Sequence, residues 1–383
     1  MLRDTQGVAS SHVLLPAAFI PVVVRFDGRR TCQEIAREAS AEMRERVPVD
    51  VVVRLATELE DALFIDAAPF RAERDRIQRE FAAAPIRPAS HAGGAYHEDP
   101  EKLAKYIDEE CLSVANGKKS SRSLSALIAP HIDPWRGAKC YGHAYSTLRA
   151  ALPADIDTFV LFGTSHAPMN EPFSICKKAF ETPFGAVDAD HEAIDRIAAA
   201  VKGDFDVYAD QFNHKREHSL EFQAVFLRHL LGKRIKIVPI LAGLGEQQHT
   251  GKSPSAAKAI ERFYEAVREV VAERNAVVIA GADLAHVGPR FGDHEPFTDR
   301  QRVTLDRTDH ESLDHAERAD AEGFWSHVAA DLDTRRVCGL GPIYSLLRTM
   351  APDSKGRLTH YEQTVDAEEG SIVTHAAMGF FTS

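Results

Sequence analysis

The stretch Ser125-Ala126-Leu127-Ile128-Ala129-Pro130-His131 is an apolar run of strand length that ends in a proline and then an imidazole. Two other runs have the same design. Thr158–Ser165 leads into His166, and Ala276–Ala282 leads into Asp283 and His286. Segments such as Ile235–Ile240 are apolar nearly throughout rather than alternating, as expected of strands covered by helices on both faces. In an open α/β sheet the ends of neighbouring strands converge on one crevice where ligands bind. Strand ends carrying nitrogen and oxygen donors therefore read as one site, with the residue types of a metal centre.

Outward from this core, strands are expected at Ser125–Ala129, Thr158–Phe162, Ile235–Leu241, Val277–Ala280 and Ile372–Phe380. Helical patterns alternate with them at Pro100–Val114, Gly137–Leu152, His191–Val201, Ser219–Leu231, Ser255–Val271, Gln301–Leu313, Ala319–Leu332 and Gly341–Met350. The result is a three-layer α/β/α sandwich spanning residues 86–383. Residues 1–85 differ. There Thr31 and Glu34 form a capping-box signature, Ile35, Ala39 and Met43 follow at helical spacing, and Val51, Val52, Leu55, Leu59 and Leu63 form a second amphipathic pattern. A small helical domain is expected, with a β wing as an option, joined to the larger domain through the Arg/Glu-rich stretch Arg71–Phe81.

Composition narrows the function classes. The chain has 383 residues, enough for two unequal domains, and a formal charge of −11, which argues against a nucleic-acid partner. Positive and negative residues between Val22 and Pro88 are nearly balanced, so no DNA-binding face is evident there either. The five cysteines are widely spaced and form no CxxC pair, fitting reduced thiols in a cytoplasmic protein. The longest apolar stretch, Val13–Val24, is interrupted by Pro16 and Pro21 and is too short to span a membrane. GxGxxG and Walker A patterns are missing, which sets aside dinucleotide and phosphate-loop readings.

The candidate residues each have a bland alternative. His131 and His166 could each be a hydrogen-bonded structural residue, but two imidazoles at equivalent strand ends favour metal ligation. Asp133, two residues beyond His131, could orient its imidazole by accepting the second N–H. Cys338, between glycine-rich neighbours and a helix opening near Gly341, reads as a thiol of depressed pKa or as an inert buried cysteine. His218 opens a helix in Glu217-His218-Ser219-Leu220-Glu221, where it could be a general acid or base or simply a first-turn residue. Asp283 and His286, three apart, would share one face of a turn, although capping by Asp283 is an equal explanation.

In chain order, Ser90-His91-Ala92-Gly93 with Tyr96, Ala129-Pro130-His131, Gly163-Thr164-Ser165-His166, Thr182-Pro183-Phe184-Gly185, Glu217–Glu221, Asp283–His286 and Cys338-Gly339 resemble the Memo family. Its bacterial and archaeal members are called AmmeMemoRadiSam system protein B. The resemblance covers about Ser90 to Phe381 and implies a fold similar to the class III extradiol dioxygenases. It also implies His131, His166 and Cys338 as ligands of a mononuclear iron (Fe2+) or copper site. His218, Asp283 and His286 would then be acid/base or supporting residues. Redox or dioxygenase-like chemistry on an unknown small-molecule substrate is implied, with a radical-SAM protein as partner. A non-enzymatic peptide-binding or metal-carrying role is the alternative, and a hydrolytic zinc site is a third. The chain departs from the family after Pro130-His131, where Ile132-Asp133-Pro134-Trp135 replaces the usual Ala-Gly-Tyr and changes the pocket lip. Phe26–Ile35 also resembles the winged-helix peptide chaperones of pyrroloquinoline quinone synthesis, which implies a peptide partner.

Overall fold

A computed structural model describes residues 2, 4, 7–9, 12–114, 121–244, 250–330 and 332–382. The chain divides into two units, Met1–Ala84 and Pro85–Ser383. The first contains helices α1 (Ile20–Val23), α2 (Cys32–Met43), α3 (Val49–Asp61) and α4 (Ala68–Ala83). Thr31 and Glu34 close a reciprocal capping box at the start of α2, each satisfying an N–H that the helix leaves free. Ile35, Ala36 and Ala39 of α2 pack with Val52, Leu55 and Leu59 of α3 and with Val22. This is the i, i+3, i+4 stripe visible in the sequence. The only β pairing among the described residues of this unit is the Leu2–Val13 bridge, which precedes the helices rather than following them as a hairpin wing.

The second unit is built on strands β1 (Ile86–Arg87), β2 (Ser123–Ala129), β3 (Thr158–Thr164), β4 (Phe173–Ile175), β5 (Ala179–Phe180), β6 (Asp188–Ala189), β7 (Lys236–Ala242), β8 (Val277–Gly281), β9 (Asp283–Val287), β10 (Lys355–Val365) and β11 (Ile372–Thr382). Its helices are α5 (Pro100–Tyr106), α6 (Pro134–Ala151), α7 (His191–Ala200), α8 (His218–Leu231), α9 (Lys258–Arg274), α10 (Asp299–Glu317), α11 (Ala321–Ala329) and α12 (Leu340–Thr349). The main sheet runs β10-β11-β2-β8-β3-β7-β4, with β6 beside β7 and β9 beside β11. Its centre, β2, β8, β3 and β7, is parallel, and its edges are antiparallel. β1 and β5 form a separate parallel pair.

The alternation of side chains along each central strand explains why the strand segments are apolar throughout. Ala126, Ile128, Val160, Phe162, Val278 and Ala280 join one core with α7, α9, α11 and α12. Leu127, Ala129, Phe159, Leu161, Val277 and Ile279 join the other with α5, α6 and α8. Both faces are dry, which is the α/β/α sandwich expected from the sequence.

Several segments differ from expectation: the short strands β1, β4, β5 and β6 are not among the expected ones, and the helix expected over Pro100–Val114 is α-helical only to Tyr106, continuing as a π turn and a 3-10 turn. Asp283–Val287 is strand β9, not a turn, because it pairs with β11. β10 carries no apolar run and is half exposed at the sheet edge, held by its ladder to β11. The helix expected over Ala319–Leu332 is shorter, Ala321–Ala329, bounded by left-handed residues Ala319 and Leu332, while Asp331 lies outside the described residues. Among the described residues no helix is long and apolar enough to cross a membrane.

Candidate metal centre

Sheet order builds the site. β8 lies between β2 and β3, and its register sets Ala129 beside Gly281 and Gly163 beside Gly281. His131, Asp283 and His166 therefore leave the sheet at one level from three adjacent strands. The His131 and His166 rings stand 5.2 Å apart, and His218 at the start of α8 closes a triangle at 5.3 Å and 4.5 Å. Cys338 enters from the segment before α12. Its Sγ lies 3.2 Å from His131 Nε2, and the donor atoms of His131, His166 and Cys338 all fall within 4.8 Å of one another.

Each group is held by a definite partner. The backbone N–H of His131 donates to Asp283 Oδ1 at 2.9 Å, and its Nδ1 faces the Gly281 carbonyl at 2.9 Å. With Nδ1 as the donor, Nε2 presents a lone pair toward Cys338. Burial and the neighbouring His166 push the His131 pKa down to about 4, so the ring is neutral. His166, 39% of whose side chain is exposed to the crevice, is anchored by Glu217. The Glu217 carboxylate accepts from the His166 backbone N–H at 2.9 Å and faces its Nδ1 at 3.0 Å. Burial works to lower the His166 pKa, but the Glu217 charge and hydrogen bond outweigh it and hold the value raised. Glu217 is correspondingly held well below the ordinary carboxylate range by His166 and His218, against the effect of burial. The His218 ring, 3.4 Å from Glu217, is lowered by burial despite that neighbour. His166, Glu217 and His218 also form a second group of closely spaced donors.

The Cys338 thiol is pushed well above its ordinary pKa by burial and by the charge of Asp283. The expectation of a depressed value fails because α12 begins at Leu340 with Gly339 as its cap, leaving Cys338 outside the first turn. Gly339 itself is required. A Cβ there would stand 2.2 Å from the Asp283 carbonyl oxygen, which accepts the Gly339 N–H at 3.0 Å. This close approach brings Cys338 onto the site.

Asp133 does not orient His131. Its carboxylate caps α6, accepting from the Arg136 backbone N–H at 3.1 Å and from Arg136 Nε at 2.5 Å, while the Gly281 carbonyl takes the role expected of it. Nor do Asp283 and His286 share a face. In strand β9 their odd separation sends them to opposite sides. Asp283 Oδ2 lies 3.7 Å from His131 Nε2, whereas His286 Nδ1 meets the Leu284 carbonyl at 3.2 Å and its ring packs edge-on against Phe291.

Sequence reasoning gives no part in the site to two acidic residues that stand behind it. Glu217 is one. The other, Glu221, is fully buried in an ion pair with Arg87, accepts from Tyr96 Oη at 2.5 Å, and faces His91 Nδ1 at 3.0 Å. His91 in turn sets its ring 5.5 Å from that of His218. The signal available was their place within the quoted motifs, where an acid at each end of Glu217–Glu221 falls one helical turn apart. On the Cys338 side a cavity of about 570 Å³ opens, lined by Thr164, Ser165, Met169, Phe205 and Gly341 among others.

Fold and crevice together define a layered α/β protein whose strand ends gather two imidazoles, a thiol and carboxylates. A profile of Memo-like proteins matches residues 87–379. The chain belongs to the Memo-like family. A MEMO1 family protein of Aquifex aeolicus is 24% identical over 392 residues, covering 100% of this chain and 96% of the relative. One from Thermus thermophilus is 25% identical, covering 90% and 97%. One from Pyrococcus furiosus is 30% identical, and 77% of this chain spans 97% of it.

Proposed function

We propose that His131, His166 and Cys338 hold one iron or copper ion, and that the protein carries out redox or dioxygenase-like chemistry on a substrate admitted beside it. The observation that carries this reading is the convergence of three donor atoms from remote parts of the chain within 4.8 Å. Donors about 2.0–2.3 Å from one cation stand about 3–4 Å from each other, and the 3.2 Å between His131 Nε2 and Cys338 Sγ fits that spacing. Two imidazoles and a thiolate form a set suited to iron or copper and leave coordination positions free for substrate. When bound, such an ion would supply the redox step.

The chain's own residues would do the rest. His218, neutral and facing both ligand imidazoles, is placed to accept a proton from a substrate hydroxyl at its ring nitrogen. Asp283 fixes the His131 backbone and keeps a carboxylate oxygen at the site. His286, turned away on β9, has no part in this reading. The cavity beyond Cys338 gives a substrate of modest size a place to lie.

Anaerobic purification with metal analysis, then ferrous reconstitution and oxygen uptake across a panel of catechols, tests the reading. Metal at one per chain with substrate-dependent oxygen consumption is expected. Stoichiometric metal with no oxygen consumption, together with saturable binding of a peptide, would replace it with a binding role.

A further inference from the structure

We propose that Glu217 is a positioning residue that sets the tautomer and aim of His166, with Arg87 as the clamp that fixes Glu217 itself. The inference rests on the metal reading above and deepens it. Glu217 is the N-cap of α8, and its carboxylate is aimed by backbone groups rather than by the imidazole. Oε1 accepts the Ser219 N–H and Oε2 accepts the His166 N–H, each at 2.9 Å. Both oxygens then face His166 Nδ1, at 3.1 and 3.0 Å. A carboxylate so placed can only accept, so Nδ1 carries the proton and Nε2 is the free lone pair.

Arg87 supplies the outer support. Its Nη2 donates to the Glu217 carbonyl at 2.6 Å and its Nε to the His214 carbonyl at 2.8 Å, while the buried Glu221 neutralises its charge. Two glycines let the start of α8 come this close to the sheet. A Cβ on Gly163 would lie 2.4 Å from Ser219 Oγ, and one on Gly281 would lie 2.3 Å from the Ser219 carbonyl oxygen. The two imidazoles are thus backed unequally, His131 by a neutral carbonyl and His166 by a carboxylate, which makes His166 the more basic donor. The same geometry disfavours a separate ion held by His166, Glu217 and His218, because each Glu217 oxygen already accepts a backbone N–H and faces His166 Nδ1.

The test uses the full chain with cobalt(II) as the probe, comparing wild type with Glu217→Gln. Expected are one cobalt per chain in both, a thiolate-to-cobalt absorption band retained in the variant, and a 10- to 100-fold weaker affinity, about the range for loss of such a partner. The slowly exchanging, paramagnetically shifted Nδ1–H signal of His166 should be present in wild type and lost in the variant, which a merely structural defect would not single out. Unchanged affinity with that signal retained overturns the proposal. So does uptake of two ions by wild type with the second lost in Glu217→Gln and in His218→Ala. Should Glu217→Gln not fold, ¹⁵N shifts of the metal-free wild type still decide, since a proton on His166 Nε2 instead of Nδ1 contradicts it. Absence of any thiolate band in wild type removes the metal reading itself and is distinct from these results.

Discussion

His131, His166 and Cys338 are held chiefly by backbone partners and buried carboxylates, with one mutual contact between Cys338 Sγ and His131 Nε2, so removing one donor should leave the scaffold intact. His131→Ala, His166→Ala and Cys338→Ser are each expected to lose most bound metal with the circular dichroism spectrum unchanged. Full stoichiometry in any of them would exclude that residue as a ligand. Arg87 behaves differently. It is fully buried, and Arg87→Met would strand the Glu221 charge in the interior. A loss of about 3–5 kcal/mol is expected by denaturant unfolding. Arg87→Met combined with Glu221→Gln should cost less than the sum of the two changes. Tyr96→Phe removes one charged hydrogen bond from the same carboxylate, a loss of about 1–3 kcal/mol. The imidazoles and Cys338 could be picked out in the sequence because their residue types carry the chemistry. Glu217, Glu221 and Arg87 could not be assigned there, because a charged side chain reads as solvated until its burial is known.

The elements themselves make two further predictions. Asp133→Ala removes the N-cap of α6 and is expected to cost about 1 kcal/mol in thermal or denaturant stability while leaving metal content unchanged. Loss of metal in that variant would restore the orienting role that the structure assigns to Gly281. Gly281→Ala drives a Cβ onto the Ser219 carbonyl, a backbone atom that cannot swing aside, so α8 must shift. It should lower stability by about 1–3 kcal/mol and weaken metal binding together, whereas Asp133→Ala separates the two. At this scale the sequence is a good guide where a pattern is local. The apolar strands, most of the helices between them and the capping box at Thr31 stand where periodicity and caps place them. β9 and β10 escape because their extended form comes from pairing with β11, a contact invisible in either segment's own pattern, and β1, β4, β5 and β6 escape because two or three residues are too few to show a period.

For the molecule as a whole, buried neutral histidines set the response to acid. Burial lowers His131 and His375 to about 4 and His214 to about 3, against an ordinary value of 6.5. His214 Nε2 meets the Ser174 carbonyl, and its Nδ1 has no hydrogen-bond partner among the described residues, so protonation would create a buried, unpaired N–H. Below pH 6.5 the unfolded chain takes up protons that the folded one refuses. Stability is therefore complete above that value and declines as pH falls toward 4, by on the order of 3 kcal/mol for each such residue. Glu221, held at about 2 because Arg87 and its hydrogen bonds outweigh the opposing effect of burial, adds its own loss only below 4.5. Melting curves from pH 8 to pH 4 should show the fall, and His375→Gln should flatten it. An unchanged slope in that variant would exclude His375 as a contributor.

What the sequence by itself determined is the layered α/β class, the rhythm of strand and helix, and which residue types at the strand ends could act as donors. Each of these follows from local period, capping and side-chain chemistry. Only the tertiary structure decided which residues meet. The insertion of β8 between β2 and β3 sets His131, Asp283 and His166 at one level, a glycine carbonyl rather than Asp133 orients His131, and Cys338 joins them through the tight approach of Gly339 to Asp283. The physical reason is that strand order and buried ion pairing are relations between distant segments, chosen by how the whole core packs.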